Sequence, residues 1–375
     1  MTRIMIAIGC AAVLLSAVPR AETGASDAND PRLVAALEPI RLRHHFPALG
    51  GAIVTSGGLT SMAVTGVRKA GTRVDATPDD LWHLGSDTKA MTAAWIARVV
   101  ASGRLSWDST IGAVAPQQTA GAPEAFRGIT LLQLLSHRAG LVANLDWQRA
   151  SHAAPTPRAQ RLAALKTAAM TPLASAPGSK YEYSNLGYVI AATLAEQVTD
   201  RAWEDEMQAT IFGPLGMKSA GFGGLGTPGL IDQPWPHTDT DRPTPNNGPL
   251  VDNPEVMGPA GTVHCSLGDW ARFIADELSG MKGHGALFGP EIYTRLHTAP
   301  FGGDYAFGWL VAERPWAGGT VYTHAGSNTM NYAVVWMAPL RDFAVLVTTN
   351  QGGADAQAGT DEAAAALIRL HESAS

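Results

Sequence analysis

Residues 84–93 read LGSDTKAMTA, and a strongly helical pattern follows in TKAMTAAWIARVV (88–100). Ser86 and Lys89 are three residues apart in this stretch, which makes them neighbours on one helical face. A serine hydroxyl becomes a good nucleophile when a base removes its proton, and a desolvated lysine can be that base. Free backbone N–H groups at a helix N-terminus can also stabilise an oxyanion. The stretch therefore predicts a nucleophile and its base, with a helix-capping serine and a solvated lysine as the alternative interpretation.

The chain contains a second Ser-x-x-Lys string, Ser279 to Lys282 in SGMKGHG (279–285). Several glycines surround this copy, and it lies beyond the end of the predicted helix at 268–278. Because glycine disfavours a regular helix, the spacing does not place this serine and lysine on one helical face. We interpret the second copy as a coincidence.

One Tyr-x-Asn string occurs, Tyr183-Ser184-Asn185 in PGSKYEYSNLGYVI (177–190). A phenol can carry protons between a nucleophile and a leaving group. An asparagine amide can bind a substrate carbonyl and a lysine at the same time. Tyr183 and Asn185 are therefore candidate site residues.

A third element, His324-Ala325-Gly326, lies on the predicted strand GGTVYTHAG (318–326). Its glycine would let a substrate lie close to the strand edge. His-x-Gly also occurs at His83-Leu84-Gly85, so this string alone has little specificity. The order and spacing of the three elements along the chain make the set specific.

Strand patterns occur near both ends of the chain. A helix predicted at 33–46 precedes GGAIVTSGGLTSMAVTGVRKA (50–70), whose alternation around a Gly-Gly turn predicts a hairpin. A closing helix is predicted at 361–373. It is preceded by three β-rich runs: GGTVYTHAG (318–326), NYAVVWMAP (331–339) and DFAVLVTTNQ (342–351).

The middle of the chain is mainly helical. The helical patterns lie at 88–103, 129–137, 158–170, 187–200 and 268–278. Strands joined by short turns pair antiparallel. The predicted fold class is therefore α+β: an antiparallel sheet domain from 32–80 and 300–375, flanked by the terminal helices, with a large mainly helical domain inserted at 81–299. The Gly/Pro-rich stretch from Gly221 to Pro259 is predicted to be a long loop.

The N-terminus, MTRIMIAIGCAAVLLSAVPRAETG, has one early cation, a short apolar run and then small residues. This layout predicts a secretory signal peptide at 1–21 and a polar linker at 22–31. The alternatives are a lipoprotein signal around Cys10 and a buried N-terminal helix. We expect an exported protein, periplasmic or secreted, without stable membrane insertion once the signal is removed.

Composition limits the partners. The 375 residues are 46% hydrophobic, which is enough for a sizeable core. The net charge is −6 and the charges are interspersed, so the chain lacks the basic patch that nucleic-acid binding needs. We therefore expect no nucleic-acid partner.

The cysteines are Cys10 and Cys265. His264 precedes Cys265, which suggests a Cys–His nucleophile, but strand neighbours point to opposite faces. We therefore predict that Cys265 is a buried thiol. His137 is assigned a packing role in a turn.

Other hydrolase classes lack their motifs here. No Gly-x-Ser-x-Gly elbow of an α/β-hydrolase occurs, and the strands do not alternate with helices as a parallel sheet requires. The eleven histidines are scattered without a His-Glu-x-x-His string, which disfavours a zinc hydrolase. No metal and no organic cofactor are expected.

Together, Ser86–Lys89, Tyr183–Asn185 and His324–Gly326 resemble the motifs of the superfamily of class C β-lactamases, D-Ala-D-Ala carboxypeptidases and family VIII esterases. Further strings are similar to that superfamily and extend the resemblance over about residues 32–370: ITLLQLLSHRAGL (129–141), FGPLGMKSAGF (212–222), PAGTVHCSLGDWARF (259–273) and YAFGWLV (305–311). The resemblance implies a β-lactamase/transpeptidase-like fold with the site in a cleft between the helical domain and the sheet.

The resemblance also implies a role for each residue. Ser86 would be the nucleophile, Lys89 the general base and Tyr183 the proton shuttle. Asn185 would contact the substrate and the lysine. The backbone N–H groups of Ser86 and Ser327 would form the oxyanion hole, with His324, Gly326 and Ser327 beside the substrate.

One departure from the family pattern bears on the substrate. Class C β-lactamases typically carry Lys-Thr-Gly where this chain has His324-Ala325-Gly326. Histidine is largely neutral at pH 7, so it binds a carboxylate less well than lysine does. The resemblance therefore implies a small-molecule ester, amide, peptide or β-lactam substrate. The predicted function is an exported esterase or amide/peptide hydrolase that acts through an acyl-enzyme on Ser86. The alternatives are a β-lactamase or D-Ala-D-Ala carboxypeptidase, and a non-catalytic penicillin-recognising sensor.

Overall fold

Strands from the two ends of the chain meet in one sheet. A computed structural model describes residues 29–238 and 245–374. Within them, seven antiparallel strands are ordered β2-β1-β10-β9-β8-β7-β6. Their bounds are β1 (Ala48–Thr55), β2 (Gly58–Gly66), β6 (Tyr305–Ala306), β7 (Trp309–Arg314), β8 (Gly319–Ser327), β9 (Tyr332–Ala338) and β10 (Phe343–Thr349). The predicted α+β class is confirmed.

Between these two groups of strands the chain is mainly helical. A short three-stranded antiparallel sheet also lies there, ordered β3 (Leu81–His83), β5 (Val263–Ser266), β4 (Gly221–Phe222). The helices are α1 (Pro31–Arg43), α2 (Thr88–Ala101), α3 (Ile111–Val114), α4 (Glu124–Arg127), α5 (Leu131–Leu135), α6 (Trp147–Ser151), α7 (Pro157–Ala169), α8 (Asn185–Thr199), α9 (Trp203–Met207), α10 (Gly213–Leu215), α11 (Gly258–Gly261), α12 (Leu267–Met281), α13 (Pro290–Leu296) and α14 (Ala354–Ala374).

The predicted hairpin is the β1–β2 pair, and β1 also pairs with β10 near the C-terminus, with Leu49 opposite Thr349. Strand β10 lies between β1 and β9 in the sheet, and every one of its residues is buried. A central strand covered on both faces reads as a continuous apolar run. The run FAVLVTT is of that kind.

The terminal helices α1 and α14 cover one face of the sheet. Leu33, Leu37 and Leu367 are completely buried in this layer. Asp30 caps α1 by accepting from the Arg32 N–H, and Pro31 occupies its first turn. The helix therefore begins inside the expected linker at 22–31.

The closing helix begins at Ala354, seven residues before the position predicted from the sequence. Gly359 and the polar residues around it obscured the helical pattern. The ring of Phe46 lies against this turn, where a Cβ on Gly359 would be 2.4 Å from Phe46 Cζ. His44 also contacts the Asp355 carboxylate at 2.9 Å. Tertiary contacts with the end of α1 thus hold the first turns of α14.

The other face of the sheet packs on the helical region through α12, which contacts β1, β2 and β10. Eleven residues of α2 are buried, including Trp95 and Lys89, so this helix is enclosed nearly all round. The short turn directly before it, Gly85–Asp87, contacts the strand β8. Helix α2 thereby carries the Ser86–Lys89 stretch into the boundary between sheet and helices.

Several predicted features concern residues 1–28, which lie outside the described residues: the signal peptide at 1–21, most of the linker and Cys10. Cys265 is described, buried and not in a disulfide. In residues 29–238 and 245–374, no helix is both long and apolar enough to cross a bilayer.

A buried ion network ties α7 to α8. The guanidinium of Arg161 is fully buried and donates to the carboxylates of Glu196 (2.5 Å) and Glu204 (2.8 Å). Glu196 is fully buried as well. The network therefore fixes the end of α8 opposite to its Tyr183–Asn185 N-terminus.

We expect Arg161→Met to lower the free energy of unfolding by about 3–5 kcal/mol, because it leaves the Glu196 carboxylate buried without its partner. Urea unfolding followed by circular dichroism measures the change. Arg158→Met in the same helix is the matched control, because Arg158 pairs with the exposed Asp200 and should cost about 1 kcal/mol or less. Equal losses in the two variants would contradict the prediction.

Candidate active site

Ser86 lies in a single 3-10 turn, Gly85–Asp87, between strand β3 and helix α2. Gly85 has a φ of +51°, a left-handed conformation that glycine adopts without strain. The turn is also crowded, because a Cβ on Gly85 would lie 2.2 Å from the backbone N of Ser327. The nucleophile candidate is therefore held by a turn that only glycine fits.

Lys89 is fully buried one helical turn after Ser86. Its Nζ lies 2.9 Å from Ser86 Oγ, and it donates to Asn185 Oδ1 (2.8 Å) and to the carbonyl of Ala260 (2.6 Å). Burial lowers the pKa of Lys89 well below its ordinary value, and the nearby Asp87 opposes this effect. A neutral amine has two N–H groups for the two carbonyl oxygens and a lone pair for the Ser86 hydroxyl. The geometry thus suits a lysine that accepts the serine proton.

Tyr183 completes the contacts of the serine. Its phenol donates to Ser86 Oγ at 2.8 Å. Burial raises the pKa of Tyr183 well above its ordinary value, so the phenol keeps its proton at neutral pH. The ring of His137 packs against it, with centroids 4.3 Å apart, and His137 Nδ1 accepts from the Ser184 N–H. His137 therefore supports the tyrosine, as its assigned packing role requires.

Asn185 is the first residue of α8, directly after the N-cap Ser184. Its Oδ1 accepts from Lys89 and its Nδ2 donates to Asn144 Oδ1 at 2.9 Å. The residue between Tyr183 and Asn185 has an extended backbone, and alternate residues of an extended chain share a face. This explains why the Tyr-x-Asn spacing brings both side chains to Ser86 and Lys89.

Gly326 brings strand β8 against the start of α2. A Cβ at this position would lie 1.9 Å from the carbonyl of Leu84 and 2.5 Å from the N of Ser86. Sequence reasoning attributed the glycine to room for the substrate, whereas here the space is filled by the protein's own backbone. The close approach places Ser327 next to Ser86 at the mouth of a pocket.

His324 lies behind this contact and is only 4% exposed. Its Nε2 is 3.4 Å from the Tyr305 hydroxyl, and its Nδ1 is 3.9 Å from the Asp87 carboxylate. Burial, together with the charge of Lys89, lowers the pKa of His324 to about 3. The imidazole is therefore neutral at pH 7.

The buried carboxylate of Asp87 carried no signal in the sequence beyond its place next to Ser86. Neither of its oxygens has a hydrogen-bond partner among the described residues. Burial raises its pKa well above the ordinary value, and Lys89 opposes this effect. A carboxyl group in this environment favours its neutral form.

A cleft of about 500 Å³ opens in front of Ser86. Its lining is mostly amide and apolar, and Asp146 is the one charged residue in it among those the structure describes. The lining residues are Ser86, Asn144, Asp146, Trp147, Gln148, Asn185, Asn253, Pro254, Met257, Ala260, Gly261, Ser327 and Thr329. Most of them lie on connections far apart in the chain, so sequence reasoning missed them.

The other chemistry-bearing strings lie apart from this cleft. Lys282 pairs with Asp342 at 2.6 Å rather than with Ser279. Cys265 is buried, and His264 Nδ1 bonds to the carbonyl of Gly223. In the described part of the chain, no group of three or more His, Cys, Asp or Glu side chains is placed to hold a metal ion.

The chain is similar in sequence and in fold to known proteins. The chain is 25% identical over 340 residues to penicillin-binding protein 4 of Amycolatopsis lactamdurans, covering 84% of each chain. It is 24% identical over 339 residues to an unguisins hydrolase of Aspergillus campestris, covering 85% of this chain but only 61% of the fungal protein. The D-amino acid amidase of Ochrobactrum anthropi SV3 shares the fold, with a TM-score of 0.71 at 18% identity over 92% of this chain and 99% of the amidase.

The decisive match is to a family model. Residues 27–369 match the model described as Beta-lactamase, which covers nearly all of the described chain. The resemblance drawn from the three motifs is confirmed. The protein belongs to the Beta-lactamase family and is a serine hydrolase.

Proposed function

We propose that this serine hydrolase acts on esters, or on amides and peptides, through an acyl-enzyme formed on Ser86. The observation that carries the proposal is the pair of hydrogen bonds at Ser86 Oγ, which lies 2.9 Å from Lys89 Nζ and 2.8 Å from the Tyr183 hydroxyl. A nucleophile within reach of both a base and an acid, at the edge of a cleft, is arranged for acyl transfer.

In acylation, Ser86 Oγ attacks the substrate carbonyl carbon while Lys89 Nζ takes the hydroxyl proton. The backbone N–H groups of Ser86 and Ser327 stabilise the oxyanion of the tetrahedral intermediate. As the carbonyl re-forms, the bond to the leaving group breaks and Tyr183 donates a proton to it. The Lys89 ammonium then returns a proton to the phenol.

In deacylation, a water molecule takes the place of the leaving group. It attacks the acyl carbon, and the same base accepts its proton. The bond to Ser86 Oγ breaks, the Lys89 ammonium returns the proton to the serine oxygen, and the carboxylic acid product leaves. Asn185 holds Lys89 and presents its amide to the cleft throughout.

The charge of the cleft supports substrates without a carboxylate. Lys89 Nζ is already in contact with Ser86, Asn185 and Ala260. No lysine or arginine is among the described residues that line the cleft. Asp146 would repel an anionic substrate. His324 is neutral and largely covered. Neutral esters and amides fit these surroundings better than anionic β-lactams do.

A β-lactamase or D-Ala-D-Ala carboxypeptidase activity is the second candidate. The likeness to a penicillin-binding protein over 84% of both chains favours it. A non-catalytic sensor is the third, and it would be acylated on Ser86 without turnover.

We further propose export, based on the signal-like layout of residues 1–21. A mature N-terminus near residue 22, read from purified native protein, tests export.

Ser86→Ala should abolish hydrolysis of a short-chain p-nitrophenyl ester and the mass increase produced by a fluorophosphonate, because both need the serine oxygen. Intact-mass spectrometry and ester turnover measure the two effects. Ser279→Ala, in the second Ser-x-x-Lys string, is the matched control and should behave as wild type. Labelling of the Ser86→Ala variant would refute the assignment, whereas wild-type labelling without turnover would indicate a sensor.

The same enzyme tested with a chromogenic cephalosporin separates the first two candidates. Ester turnover with little cephalosporin turnover supports the esterase or amidase proposal. Efficient, Ser86-dependent cephalosporin cleavage would instead make the protein a β-lactamase.

We expect kcat/KM to rise with pH as Lys89 loses its proton, because only the neutral amine accepts a proton from Ser86. Burial places this rise below the ordinary pKa of lysine. Lys89→Arg should lower kcat/KM by about 10²–10⁴-fold and remove the rising limb, since a guanidinium keeps its proton. Lys282→Arg is the matched control. An unchanged pH profile in Lys89→Arg would rule out Lys89 as the base.

His324→Lys should raise kcat/KM for carboxylate-bearing substrates relative to neutral esters by about 10–100-fold, because one hydrogen bond to a charged group strengthens binding by about that factor. The ratio of cephalosporin to p-nitrophenyl ester turnover measures it, with His324→Gln as the neutral control. An unchanged ratio in His324→Lys would show that position 324 does not face the substrate carboxylate.

A further inference from the structure

One buried acid touches both chain segments that flank the cleft's backbone donors. Asp252 belongs to the long loop, described at 223–238 and 245–254, and its side chain is only 4% exposed. Its Oδ1 lies 2.8 Å from His83 Nε2 and accepts from Asn328 Nδ2 at 2.8 Å. No sequence motif pointed to this residue. It joins the end of β3 to the β8–β9 turn.

On the first side, the contact leads to the nucleophile turn. His83 Nδ1 accepts from the backbone N–H of Gly85 at 3.0 Å. Because Nδ1 is an acceptor, the imidazole carries its proton on Nε2, the atom that faces Asp252. The contact with Asp252 is close but lacks hydrogen-bond alignment, and His83 Nε2 has no other partner among the described residues, so the acid restrains the ring by charge and proximity. His83 in turn holds Gly85, the residue directly before Ser86.

On the second side, the contact leads to the other proposed oxyanion donor. Asn328 directly follows Ser327, and its Oδ1 accepts from the N–H groups of Met330 (3.2 Å) and Asn331 (2.9 Å). Ser327 Oγ in turn donates to the carbonyl of Asn331 at 2.7 Å. The side-chain oxygen of Asn328 thus holds the turn, and its amide nitrogen donates to Asp252.

Stability does not account for the acid. The second oxygen of Asp252 has no hydrogen-bond partner among the described residues. A buried ionic contact is often no more stabilising than apolar residues of similar volume, and an orphaned buried oxygen adds a cost. This cost of burying Asp252 argues for a role of the acid in the neighbouring site.

We propose that Asp252 is a positioning residue that fixes the relative placement of the backbone N–H groups of Ser86 and Ser327. It acts through His83 on one segment and through Asn328 on the other. The inference rests on the proposed acyl transfer at Ser86, in which those two groups bind the oxyanion. The neighbours Asn253 and Pro254 line the cleft, so the long loop supplies both a wall and the tie behind it.

The test exchanges the two partners. Asp252→Leu removes both contacts, and Asn328→Asp leaves two carboxylates facing each other. The double variant Asp252→Asn/Asn328→Asp restores one acid and one amide with their roles reversed, and it keeps an oxygen for His83. Asp232→Asn is the matched control, because Asp232 lies in the same loop and caps the Thr227 N–H.

Each single variant should lower kcat for a short-chain p-nitrophenyl ester by about 10–100-fold with KM within about threefold, since a displaced oxyanion donor weakens transition-state binding alone. The double variant should recover to within about fivefold of wild type. Thermal melting checks that each protein is folded. Wild-type kcat in folded Asp252→Leu, or a folded double variant no more active than the singles, would overturn the proposal.

A second readout is independent of the chemistry. Hydrogen–deuterium exchange should speed up in peptides that contain Gly85 and Asn328 in each single variant, and should return toward wild type in the double variant. Unchanged exchange in both peptides would overturn the proposal. Altered exchange in a protein whose wild type neither hydrolyses the ester nor takes up a fluorophosphonate would instead refute the proposed function and leave the positioning role supported.

Discussion

The site depends on the burial of one amino group. Lys89 sits inside a helix that is enclosed nearly all round, with its nitrogen between the Ser86 hydroxyl, the Asn185 side chain and the Ala260 carbonyl. Removing a lysine from water disfavours its charged form, and that makes the amine a base. Helix α2, the N-terminus of α8 and the turn around Ala260 must all meet for this burial to occur. The helical region therefore has a chemical as well as a packing role.

The second constraint is the approach of β8 to the start of α2. Gly85 and Gly326 face each other so closely that a side chain on either would overlap backbone atoms of the other segment. The contact joins a strand near the C-terminus to a turn near the N-terminus, and it aligns Ser327 with Ser86. Asp252 ties the same two segments from behind through His83 and Asn328. Close packing and a buried polar tie thus act on the same pair of donors.

Much of the fold was predictable because local patterns agreed with it. The Gly57–Gly58 turn and its alternating flanks indicated the β1–β2 hairpin, and the apolar runs indicated β8, β9 and β10. Short elements were missed, namely β6, β7 and the sheet of β3, β4 and β5. Strands β3 to β6 have only two to four residues, too few for a periodic signal, and the six-residue β7 (WLVAER) shows no strict alternation of apolar and polar residues. The early start of α14 depends on contacts with His44 and Phe46, which are distant in sequence.

The sequence by itself determined the chemistry available to the site. Ser86 and Lys89 share a helical face, and Tyr183 and Asn185 share an extended one, because those spacings follow local backbone geometry. Tertiary structure decided everything that needs distant segments to meet. It buried His324 and Asp87, lined the cleft with Asn144, Trp147 and Asn253, and placed Asp252 against His83 and Asn328. Such contacts leave no periodic trace in a single sequence, because packing rather than spacing brings their residues together.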